Sequence, residues 1–368
     1  MKIIIIFFVI FLSSQLFADV TRLVKNINTT NHAAFGTNDK IHFAELGQYV
    51  YFFARINSTT IGFYKTNSID DSLVLLKSFE ETTTSKNYLI VFNNTLFLTL
   101  DDGTHGVELW KSDGSVQGTV LFKEFKSGEE DSIFEEFVVS GNKLFFSVNN
   151  ELWATEGSIA STHLVKAFAT VGYDAIRSMH SLDNGLIIFS GSDGVHGFEV
   201  WRSDATTANT VLVKDIYTDG SRSAFPSSFT VLGEWIYFVA TDGAHSYDIK
   251  IWRTKINDIS QTEKVTSMTA NTPSNLVYLN NNIYFEASDT QLWKIDSNGL
   301  ASLVKNMPSR INSIKVLGSS LYFSLYSQLY KSSGTSASTT LIEENLYISQ
   351  MVVINNKLYF SGNKLTEN

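Results

Sequence analysis

With 368 residues, 43% hydrophobic and 13% aromatic, and only 3 Pro, the chain has room for two ordinary domains or one large all-β domain, and its aromatic usage excludes disorder. The formal net charge of −9, with no cluster of Lys or Arg, excludes nucleic-acid phosphates and an anionic membrane surface as partners. The count of 0 Cys excludes disulfides, thiolate metal sites and a cysteine-linked lipid anchor, so stability must come from packing.

In chain order, the first feature is Met1 and Lys2 followed by an apolar run over residues 3–12, polar Ser13, Ser14 and Gln15, and Ala18 before Asp19. This predicts a signal peptide over residues 1–18, cleaved after Ala18, because the run is shorter than the roughly 17 to 25 residues of a spanning helix. The mature chain, residues 19–368, is expected as a single exported domain, in the periplasm, at the cell surface or outside the cell.

From there one pattern recurs. Its fullest copies are Glu108-Leu109-Trp110-Lys111-Ser112-Asp113-Gly114, leading to Gly118-Thr119-Val120-Leu121-Phe122-Lys123, and Glu199-Val200-Trp201-Arg202-Ser203-Asp204, leading to Leu212-Val213-Lys214. The aromatic position returns as Tyr64, Trp110, Trp153, Trp201, Trp252, Trp293 and Tyr330, spaced by about 44 residues on average, which suits four strands per unit. Upstream of each aromatic, two apolar segments flank a short turn, such as Asn93-Asn94, Gly141-Asn142, Gly233-Glu234, Asn280-Asn281 and Asn355-Asn356. Asn and Gly tolerate the positive φ of a tight hairpin, so each unit reads as a four-stranded antiparallel sheet that must stack on its neighbours. Residues 21–27 match a fourth strand with none before it, and residues 351–361 match a first and second strand followed only by a short stub at 364–368. The ends are complementary, which predicts an all-β propeller of eight blades closed by pairing the two termini; seven blades is the alternative.

These motifs resemble the bacterial ELWxxDGT-repeat (hyalin-like) proteins, best over residues 101–123 and 192–216, while the later units depart from the pattern at Thr254-Lys255 and Ser332-Ser333. The resemblance implies a secreted or surface propeller-type repeat protein, mostly without an assigned activity.

Several residues invite chemistry. Asp102-Gly103-Thr104-His105 recurs as Asp193-Gly194-Val195-His196 and Asp242-Gly243-Ala244-His245, but the copies sit in different units, and zinc needs three or four ligands about 2 Å from one point. They are expected to stabilise turns and to hold no metal. At Ser112-Asp113-Gly114 and Ser203-Asp204 one Asp per turn falls short of the six to eight or so oxygens of calcium, which stays a minor reading; no other cofactor is implied. The tryptophans read as core between units, not as sugar platforms. The acidic runs Glu129-Glu130-Asp131 and Glu135-Glu136 read as solvated faces, and Asp39, His42 and Glu45 as unrelated. Ligand contact is assigned instead to Tyr217, Asp219, Arg222 and Phe225, an aromatic and charged loop. With no local nucleophile–base pair or carboxylate pair, the reading is a monomeric, non-catalytic binding module for a protein or glycan; the alternative is a polysaccharide hydrolase or lyase with its site at the channel mouth.

Overall fold

The computed structural model describes residues 6–10, 21–23, 43–57, 59–67, 72–80, 87–169, 174–220, 222–243, 248–268, 271–354 and 356–364. Among them are eight four-stranded antiparallel sheets and one short 3-10 turn, Ile159–Ser161. Seven sheets are built from four consecutive strands each, and each carries one of the seven repeat aromatics on its third strand. They are named here by that residue, from the Tyr64 sheet to the Tyr330 sheet.

The second strand of each sheet is a run with nearly every residue buried, as in Thr95–Asp101, Lys143–Val148 and Ile187–Ser192. A strand apolar on both faces belongs in the interior of a stack, whereas the fourth strands, such as Val211–Lys214, are only partly covered. The turns between first and second strands are left-handed where Asn and Gly stand: φ is +48° and +56° at Asn93 and Asn94, +57° at Gly141 and +63° at Gly233. Each fourth strand is a sheet edge, and in six of the seven sheets a bulge interrupts its pairing beside the aromatic, as between Val200 and Trp201. The Trp252 sheet lacks the bulge, but its fourth strand is only Thr262–Lys264. Bulges and short edges both discourage pairing with another chain.

Contacts divide the chain into two compact units, Met1–Phe134 with Leu346–Asn368, and Glu135–Asn345. In the first, the core joins the Tyr64 and Trp110 sheets through Tyr51, Phe63, Leu96 and Trp110. In the second, Phe145 and Leu152 of one sheet meet Phe189 and Trp201 of the next, and Ile188 and Val200 meet Phe238 and Trp252 in turn. Tyr237 and Ile251 likewise meet Phe285 and Trp293. Trp110, Trp201, Trp252 and Trp293 are 4 to 8% exposed and form this core between sheets; Trp153 is half-buried. In two sheets a Lys of the fourth strand caps the aromatic of the following sheet: Lys77 Nζ lies 4.4 Å from the Trp110 ring and Lys166 Nζ 5.5 Å from the Trp201 ring.

The eighth sheet draws on both ends of the chain. Leu346–Ile354 pairs with Lys357–Lys364, which pairs with Ile6–Ile10, which pairs with Thr21–Leu23. The termini therefore share one sheet, as their complementary patterns predict, but the third-strand position is filled by Ile6–Ile10 and not by the stub at 364–368. The same apolar, β-branched residues that read as an export signal also suit a central strand. Ala18, residues 24–27 and residues 365–368 lie outside the described residues.

Candidate functional site

In the Trp201 sheet, a five-residue loop, 193–197, joins the second strand to the third. Asp193 Oδ1 accepts the N–H of Val195 and of His196 (both 2.9 Å), and its Oδ2 lies 2.9 Å from His196 Nδ1. Partial burial works against it, but these bonds hold the Asp193 carboxyl below its usual range, and the carboxylate raises His196. The repeated Asp–His pair is thus a turn device. Asp102 does the same for Thr104, His105 and the His105 ring, with contacts of 3.0 to 3.1 Å. His105 and His196 each serve their own aspartate, and no three His, Asp or Glu side chains are placed to share a metal ion among the described residues. His245, Asp39 and His42 lie outside them.

The loop that carries the four ligand candidates is held from below by Glu199, which is 0% exposed. Its Oε2 accepts the Ile216 N–H (2.8 Å), and its Oε1 accepts the N–H of Tyr217 (3.3 Å) and Ala224 (3.2 Å). Loss of water pushes its carboxyl up to about 7, against the lowering effect of the three donors. The neighbouring backbone closes the clamp: Phe198 N–H donates to Ser223 Oγ, and the N–H groups of Ala224 and Phe225 both donate to the Phe198 carbonyl.

Three of the four candidates come together on this loop. Arg222 Nη1 donates to the Tyr217 hydroxyl (3.1 Å), and Arg222 Nε lies 3.5 Å from Asp219 Oδ2, with the two charged side chains 66% and 77% exposed. Tyr217 is half-buried and packs against Gly243, where a Cβ would overlap its ring. Phe225 is joined to them through the clamp: its ring, 55% exposed, stacks on buried Phe198 at 5.6 Å and 24°.

The Trp110 sheet repeats the clamp. Glu108, also 0% exposed, accepts the N–H of Phe125 and Lys126 (2.9 Å each) and the Ser132 hydroxyl (2.8 Å). Here the acidic runs depart from expectation. Asp131 Oδ1 accepts the Val107 N–H (3.0 Å), and Glu136 Oε1 accepts the Ser178 N–H (3.1 Å), so both brace backbone, while Glu129 and Glu130 are exposed.

The turns after the third strand are braced too. Asp113 Oδ1 accepts the backbone N–H (2.9 Å) and hydroxyl (2.7 Å) of Ser115. Beneath it the hydroxyls of Ser112 and Thr119 meet at 2.7 Å, and Ser112 Oγ accepts the Gly114 N–H. The same pair recurs as Ser203 with Thr210 and Ser332 with Thr339, both at 2.8 Å. Sequence reasoning passed over this pair and the Glu clamp. The pair had a readable signal, Ser and Thr seven residues apart in three units; the clamp had none, since its donors are backbone groups 17 to 25 residues away.

No family model matches the chain, and no curated protein does. Among solved structures, Sqt1 from Saccharomyces cerevisiae aligns with a TM-score of 0.58 at 7% identity, over 88% of this chain and 95% of that one. BamB from Moraxella catarrhalis aligns with a TM-score of 0.52 at 13% identity, over 90% and 96%. At such identity the likeness speaks of fold alone, and the fold is an all-β propeller of four-stranded antiparallel blades.

Proposed function

We propose that this chain is an exported, non-catalytic binding propeller of the ELWxxDGT-repeat type, which holds a protein or glycan partner on the loop over Glu199. One observation carries the reading: the buried loop carboxylates, Glu108 and Glu199, use both oxygens to hold the backbone of the loop above them. A carboxylate so engaged positions a loop; a glycosidase acid or nucleophile must instead face the bond it breaks. What the clamp presents to solvent is Phe225, with Tyr217, Asp219 and Arg222 beside it in sequence. Export rests on the residues 1–18 pattern.

The test is to incubate the purified full chain with soluble polysaccharides, following release of reducing ends and unsaturated products alongside retention of the protein on immobilised polysaccharides and on membrane-protein extracts. Retention without turnover is expected. Product that accumulates in proportion to protein would establish the hydrolase or lyase reading in its place.

A further inference from the structure

Phe225 stands at φ +49°, a left-handed region that is strained for a bulky residue. Thr272 has the same φ of +49°, and each of the two precedes a proline, Pro226 or Pro273, at the entry to its sheet. The same backbone geometry thus occurs in two sheets, and Gly or Asn would adopt it with less strain. Phe occupies it nonetheless, and burial does not offset the cost, because the ring is 55% exposed. The ring is also held in place, through its stacking on Phe198 and through the three N–H groups anchored on Glu199. An exposed, strained, immobilised aromatic is preorganised for a ligand.

The surroundings favour one class of ligand. Phe225 is the one exposed large hydrophobic among the described residues of 215–225, whereas a protein hot spot needs apolar neighbours that exclude water. The same loop instead supplies polar groups: the Arg222 guanidinium as donor, the Asp219 carboxylate as acceptor, and the Tyr217 hydroxyl as either. A pyranose matches this set, with a C–H face to stack on the ring and hydroxyls that both donate and accept. The net charge of −9 and the exposed Asp219 carboxylate oppose an acidic sugar. We propose that Phe225 is the stacking platform, and Arg222 and Asp219 the hydroxyl-pairing groups, of a subsite for a neutral polysaccharide. This rests on the binding reading above.

Affinity electrophoresis of the purified full chain through gels containing dextran, laminarin, xyloglucan, alginate or pectate tests it. Retardation by at least one of the three neutral polymers is expected, with Phe225→Ala weakening it at least tenfold, Arg222→Ala less, and Phe225→Trp preserving it. Phe225→Gly separates binding from a structural role: it should abolish retardation while leaving the Tm unchanged or raised, since Gly relieves the strain. Retardation of Phe225→Ala equal to that of the wild type would move the subsite elsewhere and leave the binding reading intact. Retardation by alginate or pectate alone, or by no gel, would overturn the neutral-glycan assignment. So would a fall in Tm of more than about 5 °C for Phe225→Gly. A photo-crosslinker at position 225 that captures a protein in place of any gel retardation would turn the site over to protein docking.

Discussion

Two neighbouring sheets use the same motif in opposite ways. In the Trp201 sheet, Glu199 turns to the loop above it and holds three of its N–H groups, and the Trp201 Nε1–H is buried without a partner. In the Trp153 sheet the second and third strands are joined by two left-handed residues, Asn149 and Asn150 (φ +52° and +63°). There Asn150 holds the following loop, its Oδ1 accepting the Ala175 N–H at 2.8 Å and its carbonyl the Phe168 N–H at 3.0 Å. Glu151 is released from that task and accepts the Trp153 indole N–H at 2.9 Å. Gln291 does the same for Trp293. One acceptor at this position serves either the loop or the indole, and the length of the preceding turn decides which. The five-residue turn is therefore what couples the motif to a surface loop.

Removing the acid from each sheet separates the two roles. Glu199→Ala leaves the N–H groups of Ile216 and Tyr217 without their acceptor beneath a buried position, at about 1 to 3 kcal/mol each, while the Ala224 N–H keeps the Phe198 carbonyl, so a loss of at least about 2 kcal/mol is expected. Glu151→Ala removes one bond at a half-buried site and should cost about 1 kcal/mol or less. Chemical denaturation of both variants checks this, and equal losses would dissolve the distinction.

A finer cut compares two tryptophans of similar burial, Trp201 at 5% exposure and Trp293 at 8%. Replacing each by Phe removes the same volume, but only Trp293 loses a hydrogen bond. Trp293→Phe should therefore be the more destabilising by about 1 kcal/mol, and the reverse order in paired denaturation curves would contradict the assignment of the indole partners.

A separate comparison is of pH dependence. Burial lifts the Glu199 carboxyl from an ordinary value near 4.5 to about 7, so between these values the folded chain keeps a proton that the unfolded chain has released. The contribution of this group to stability is then full below about 4.5 and declines as the pH rises to about 7. Glu199→Gln should flatten the fall in Tm across that window, whatever its effect on absolute stability, while Glu151→Gln should leave the slope as it is. An unchanged slope for Glu199→Gln would show that the carboxyl titrates as an exposed acid.

The architecture was legible because it rests on local rules repeated many times. Asn and Gly at hairpin turns, mostly apolar second strands and a recurring aromatic are each readable within a dozen residues, and all hold in the seven sheets built from consecutive strands. The burial of Trp110, Trp201 and Trp293 followed from the same pattern, since a sheet apolar on both faces has to be covered. The four ligand candidates were chosen for exposure and chemistry, and three of them do lie together.

What sequence alone left open depends on which distant backbone groups meet a side chain. The turn before the Glu199 strand has five residues and the one before Glu151 two, but the consequence of that difference is set in space: only the folded path of the loop 17 to 25 residues on gives Glu199 its three donors. The acidic run at 129–131 looks uniform, yet Asp131 is turned inward by the Val107 N–H. Residues 6–10 satisfy two patterns at once, because the apolarity an export signal requires is also what a central strand requires, and pairing with Lys357–Lys364 is a tertiary property. Residue type and spacing thus determined the sheets, their turns and their core, where each requirement is met by near neighbours. Tertiary structure decided which identical motifs hold a loop and which hold an indole, because a hydrogen bond depends on where the acceptor's partner arrives in space.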